Sequence, residues 1–158
     1  PVALALDAEF TIAGPGGTRT VPAVDFFQGP FETAVGPDEI LVSTAFPKLD
    51  GWGAHYEKFQ RTAQAWSIVG VAATVRMEGG SIAEAKIGLT NVGGTPIRAS
   101  AVEAAVVGAS SLADIEAAAA LASDGLEPFA DDDADVEFRL HLARVLTARA
   151  VARAAGLS

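Results

Sequence analysis

Two histidines, His55 and His141, are the first groups in this 158-residue chain to weigh for chemistry. An imidazole works as a metal ligand or a general base only in company. His55 falls in the cluster Gly51-Trp52-Gly53-Ala54-His55-Tyr56, read as a loop, and His141 falls on an exposed helix face. Neither has a second ligand type at metal spacing, so no metal site is supported, and packing or hydrogen bonding is the plainer role for His55. No serine sits in a Gly-x-Ser-x-Gly elbow, which argues against a hydrolase. The run Asp131-Asp132-Asp133-Ala134-Asp135 lacks the spacing of a calcium loop and the bidentate Glu that closes one. Acid there suits the positive end of a following helix. The glycine clusters Gly14 to Gly17 and Gly88 to Gly94 match neither a dinucleotide fingerprint nor a P-loop, and both read as turns. With no cysteine, the chain can hold no iron–sulfur cluster through thiolates and form no disulfide. Redox work would need a borrowed cofactor, and any metal cluster would sit on another polypeptide.

The composition frames what must position such groups. Half of the residues are apolar and 20% are charged, enough for one good core and a smaller satellite. A formal net charge of −9 is the wrong sign for nucleic acid or an anionic membrane. Apolar runs break well before the roughly 18 to 20 residues of a membrane span. Pro1 opens inside an apolar segment with neither Met nor a basic region, unlike a signal peptide. We therefore expect a cytoplasmic chain with no membrane span, preceded by an upstream segment.

The first half of the chain reads as strands. Leu4, Leu6, Ala8, Phe10 and Ile12 alternate with polar residues, although Leu4 and Leu6 could instead finish a helix. The turn at Gly14-Pro15-Gly16-Gly17 sends Thr18 to Val21 back as a hairpin arm. Asp25-Phe26-Phe27 reads as an aromatic plug, and Ile40 to Phe46 as a strand closed by Pro47. Trp66 to Met77 is a long β-branched run with Val69, Val71, Ala73, Val75 and Met77 on one face. After Gly79-Gly80, Ala83, Ala85, Ile87 and Leu89 alternate as its antiparallel partner.

Beyond Pro96 the period changes to about 3.6, predicting helices over Ala101 to Val107, Leu112 to Ser123 and Ala134 to Ala155. Ser111 and Asp135 are the expected caps. In the last helix Val136, Leu140, Ala143, Leu146, Ala150 and Ala154 form the apolar stripe, with Arg139, Arg144, Arg149 and Arg153 off it. Strands followed by helices predict an α+β fold, an antiparallel sheet of about three strands packed with C-terminal helices.

Three strings carry a family resemblance. The first is Arg19-Thr20-Val21-Pro22-Ala23-Val24-Asp25-Phe26-Phe27, then Gly29, Phe31, Thr33 and Pro37-Asp38-Glu39-Ile40-Leu41. The second is Tyr56-Glu57-Lys58-Phe59-Gln60-Arg61, then Trp66-Ser67-Ile68-Val69-Gly70-Val71-Ala72. The third joins Ile87-Gly88-Leu89, Thr95-Pro96-Ile97-Arg98-Ala99, Glu103, Gly108, Asp132 or Asp133, and Phe138-Arg139. Together, in this order, they resemble the FAD-binding medium subunit of molybdenum hydroxylases, the carbon monoxide dehydrogenase and xanthine dehydrogenase family.

The resemblance implies that residues 1–50 are the last hairpin of an FAD-binding domain with its linker, and that residues 51–158 form a CO dehydrogenase flavoprotein C-terminal-like domain. It implies an oxidoreductase subunit that passes electrons from 2Fe-2S clusters on a small partner subunit through FAD to an external acceptor, with the molybdenum cofactor on a large partner subunit. Lys58 would lie near the flavin, where a cation supports the reduced anionic ring; a surface lysine is the plainer alternative. Trp66 would stack on the isoalloxazine, or simply begin a buried strand. Ile40 and Leu41 would line the ring, or serve as strand core. Ala65 stands where relatives often have Asp, and the family's two glycine-rich pyrophosphate motifs lie upstream of Pro1. The chain alone is therefore expected to hold FAD weakly or not at all. A docking module that keeps the fold without flavin is the alternative from another class.

Overall fold

The structure, a computed structural model, describes residues 1–157. A short helix α1 (Val2–Ala5) precedes the hairpin β1 (Glu9–Gly14) and β2 (Gly17–Pro22). A helical turn α2 (Ala23–Phe26), the small strands β3 (Phe27–Gly29) and β4 (Glu32–Thr33), and β5 (Ile40–Ala45) follow. β1 is the centre of a three-stranded antiparallel sheet in the order β2-β1-β5. Phe10, Phe26 and Phe27 form the expected aromatic plug, Phe10 and Phe26 stacked with centroids 4.0 Å apart. With Leu4, Ala8, Ile12, Val21 and Ala23 they make the smaller of two cores. Of the two readings for Leu4, the helix is the one observed.

The second sheet has four antiparallel strands: β6 (Trp52–Phe59), β7 (Val69–Glu78), β8 (Ser81–Thr90) and the two-residue β9 (Ile97–Arg98). The α+β architecture is as expected, with a short fourth strand added. Helices α3 (Ser100–Ala105), α4 (Leu112–Ala119) and α5 (Val136–Ala155) cover one face. Ser111 caps α4 through a reciprocal pair with Asp114, and Asp135 caps α5 by accepting from the Phe138 N–H.

Residues 51–56 are a correction, because from Trp52 they form a strand. Glycines and a lone histidine hid its period of two. The structure shows why Gly53 is there: a side chain at that position would strike the backbone carbonyl of Ala154 in α5. The hairpin β7–β8 also departs in detail. Its register shifts between Arg76 and Met77, so Ile82 and not Ala83 joins Ala85, Ile87 and Leu89 in the core.

The α5 stripe needs a second correction. Val136 is exposed and Arg139 takes the inward place, only 2% exposed. Position 139 lies four and seven residues before Ala143 and Leu146, on the same helical face, so its spacing pointed inward although its charge did not.

On the other face of this sheet lies α1. Gly88 gives it room, since a side chain there would meet the Pro1 backbone. Asp7, at φ 47°, ties the joint by accepting from Arg98 Nη1 and pairing with Lys86 Nζ, each at 2.6 Å. Arg98 continues to Glu103 at 2.6 Å, and Lys86 lies 4.9 Å from the Trp52 ring centroid. Burial opposes the Asp7 charge, but hydrogen bonds from Lys86 and then Arg98 hold its carboxyl below the ordinary value.

Candidate flavin-facing site

Strand alternation decides which way Lys58 points. Its neighbours Glu57 and Phe59 turn toward α5, Glu57 pairing with Arg153 at 2.8 Å and Phe59 meeting Phe138 edge-to-face. Lys58 therefore projects from the opposite face, the one that carries α1. It is exposed and makes no ion pair among the described residues. Opposite it in the ladder is Gly70, over which the Tyr56 hydroxyl lies. Burial pushes the Tyr56 phenol above its ordinary pKa.

Trp66 is not the start of a strand. β7 begins at Val69, and the indole sits on the β6–β7 connector, 89% exposed. Large aromatic side chains normally bury most of their area. The connector beneath this one is nonetheless fixed. The Ile68 N–H donates to the Phe59 carbonyl at 2.8 Å, and Asn91 Nδ2 donates to the Ser67 carbonyl at 2.8 Å. Arg139 Nη1 donates to the Ile68 carbonyl, and its Nη2 pairs with Asp131. Arg61 pairs with Asp133 at 2.9 Å.

The acidic run before α5 thus does more than complement a helix end. Asp131 also accepts from the Asp133 and Ala134 N–H groups, at 3.0 Å each. Asn91 did not announce this role in the sequence because it acts across 24 residues, and Asp131 did not because its partner Arg139 reads as a surface charge.

Lys58 and Trp66 therefore flank one end of the β6–β7 pair. Ile40 and Leu41 belong to the other sheet, on β5, and are 67% and 41% exposed, so they are strand residues but not core. A third large apolar side chain on β5, Val42, is 59% exposed. A groove of about 610 Å³ lies elsewhere, between α4 and α5, on the helical side of the sheet that Lys58 faces away from. A smaller apolar groove of about 230 Å³ runs between α1 and the strands, past Val2, Leu6, Ala54 and Tyr56. His55 contacts Glu57 and Arg153 and belongs to the β6–α5 seam. Among the described residues no group of three His, Cys, Asp or Glu side chains could hold a metal, and no helix is long and apolar enough to cross a membrane.

Lys58 is thus an exposed cation and Trp66 an exposed flat ring at one end of the second sheet, while the exposed apolar side chains of Ile40 and Leu41 belong to the first. Residues 54–154 match the CO dehydrogenase flavoprotein C-terminal domain. The chain belongs to this family. Residues 1–49 match the FAD binding domain in molybdopterin dehydrogenase.

The carbon monoxide dehydrogenase medium chain of Afipia carboxidovorans is 36% identical over 151 residues, covering 94% of this chain and 52% of that one. The putative xanthine dehydrogenase FAD-binding subunit of Escherichia coli is 32% identical over 155 residues, 96% of this chain and 53% of its own. In three dimensions the chain is similar to a Cu,Mo-CO dehydrogenase in its cyanide-inactivated form, with TM-score 0.93 and 34% identity over 99% of this chain and 56% of the other. Quinoline 2-oxidoreductase from Pseudomonas putida gives TM-score 0.91 at 30% identity, over 98% of this chain and 54% of the other. The chain spans about half the length of the curated relatives it matches.

Proposed function

We propose that this chain is part of the FAD-carrying subunit of a molybdenum hydroxylase, with residues 1–50 and 51–158 as the two domain pieces, and that it supplies one wall of the flavin site. The observation that carries the reading is Trp66, an almost fully exposed indole on a connector whose next two residues, Ser67 and Ile68, are held through their carbonyls by Asn91 and Arg139. A ring presented to solvent on a fixed backbone is ready to stack without first becoming ordered.

Bound FAD would supply two-electron oxidation and reduction between iron–sulfur clusters on a small partner subunit and an external acceptor, the molybdenum cofactor residing on a large subunit. Trp66 shields one ring face from water. Lys58, unpaired and on a flexible stem, attracts the negative charge that reduction places on the ring. Ile40 and Leu41 cover apolar ring area from β5. None of the four has to break an existing ion pair to do this.

Flavin titration of the full-length protein tests the proposal. The wild type is expected to bind FAD and show oxidised-flavin absorbance, and Lys58→Ala and Trp66→Ala to lose about tenfold in FAD affinity each, the scale of one charge-assisted or stacking contact. Failure to take up FAD would leave a docking module that has kept the fold. Normal uptake with both variants at wild-type affinity and reduction rate would remove Lys58 and Trp66 from the site.

A further inference from the structure

Arg139 is the most deeply buried charged side chain described, and the proposed function gives it no contact with flavin. Burying a guanidinium is expensive unless it is paired and hydrogen-bonded. Here the cost is met in an unusual direction. One arm of the fork pairs with Asp131, and the other donates to the Ile68 carbonyl, with a longer contact at 3.5 Å to the Asn91 carbonyl. Its Nε finds no partner among the described residues. The side chain therefore spends its donors on loop backbone and on one carboxylate beyond its own helix.

Ile68 is two residues from Trp66, and Ser67, between them, is held by Asn91, whose own carbonyl takes the long contact from Arg139. One guanidinium thus contacts two segments, the connector at Ile68 and the residue after β8 at Asn91, while Asp131 fastens it to a third, the run before α5. We propose that Arg139, poised by Asp131, is a positioning residue that fixes the Trp66 connector in the conformation that presents the indole.

Its value for flavin rests on the reading of Trp66 given above; its effect on the connector does not. A lysine could not reproduce the effect, because a single ammonium lacks the planar fork that reaches two acceptors in different directions.

Hydrogen–deuterium exchange of the full-length protein tests the conformational part. Arg139→Lys and Asp131→Asn are compared with wild type. Asp131→Asn alters a half-exposed residue, keeps the side-chain acceptor for the Asp133 and Ala134 N–H groups, and keeps the variant foldable if Arg139→Lys is not. The hydrogen-bonded amides of the connector, Ala65 and Ile68, are expected to exchange about tenfold faster in either variant, as for loss of one charged hydrogen bond. Those of β8 and α4 should stay at their wild-type rates. Wild-type protection of Ala65 and Ile68 in the folded variants, or loosening spread equally over β8 and α4, overturns the proposal.

A second readout separates positioning from general support. In FAD-loaded protein a stacked indole quenches flavin emission, so Asp131→Asn should raise emission toward the Trp66→Ala level, and the double variant should add nothing further. Additive effects would overturn the coupling of Arg139 and Asp131 to Trp66. If Trp66→Ala leaves emission unchanged, the flavin reading fails, and the exchange data decide the connector by themselves.

Discussion

Thr74, in the middle of β7, donates its hydroxyl to the main-chain oxygen of Ala5 at 2.9 Å, fastening α1 to a sheet that lies 69 residues further along the chain. Thr74 is buried, and this bond joins the smaller core to the larger one. The variant Thr74→Val keeps the shape and strands a buried acceptor, a loss of about 1–3 kcal/mol. Urea unfolding should show the drop in midpoint. An unchanged midpoint would mean that water replaces the bond.

Asp7→Asn tests the ionic half of the same joint. Asparagine tolerates the left-handed backbone at this position, so the change removes charge without adding strain. Lys86 and Arg98 then lose a shared anion, at a cost of about 1–2 kcal/mol, kept modest by the exposure of Asp7. Stability at low and high salt is the measurement. Equal loss in both would show that the carboxylate acts through packing instead of charge.

Gly53→Ala should destabilise by about 1–3 kcal/mol, because the added methyl meets the Ala154 main chain, which cannot rotate aside as a side chain could. Gly16→Ala, in the β1–β2 turn with open space around it, is the control and should be nearly silent. Comparable thermal midpoints for the two variants would contradict the close approach.

Arg19 and Glu39 offer a pH signature. The Arg19 guanidinium, helped by the Gly36 N–H, lowers the Glu39 carboxyl from 4.5 to about 2. A carboxyl depressed in the folded state adds stability that is complete above its unfolded pKa and disappears as pH falls through the folded one. Arg19→Ala should therefore matter above pH 4.5 and cease to matter near pH 2. Carboxyl titration by NMR gives the direct check: a Glu39 value near 4.5 in the wild type would rule the pairing out.

Much of this was legible in the sequence. The helices and their caps could be read because Ser111 and Asp135 act within one turn of chain, and the β1–β2 hairpin because its glycine turn is local. Trp52–Phe59 was missed because a strand that touches helix backbone must give up a side chain where contact is closest, which erases the alternation. Arg139 was placed on the wrong side because charge outweighed spacing, although its partners, Asp131 and the Ile68 carbonyl, make burial possible. Whether an exposed side chain such as Trp66 rests on firm or loose backbone depends on Asn91 and Arg139, and no local pattern carries that information.

At Gly53 alone, contact with the Ala154 main chain leaves no compressible layer between β6 and α5. At that one point a push along the helix is felt by the strand directly, with no side chain to flex in between. Five residues along β6, Lys58 inherits this stiffness at its α-carbon while its four-methylene tether remains free to swing. The anchorage is fixed and the charge is left to search, so the ammonium can change position without any movement of the sheet.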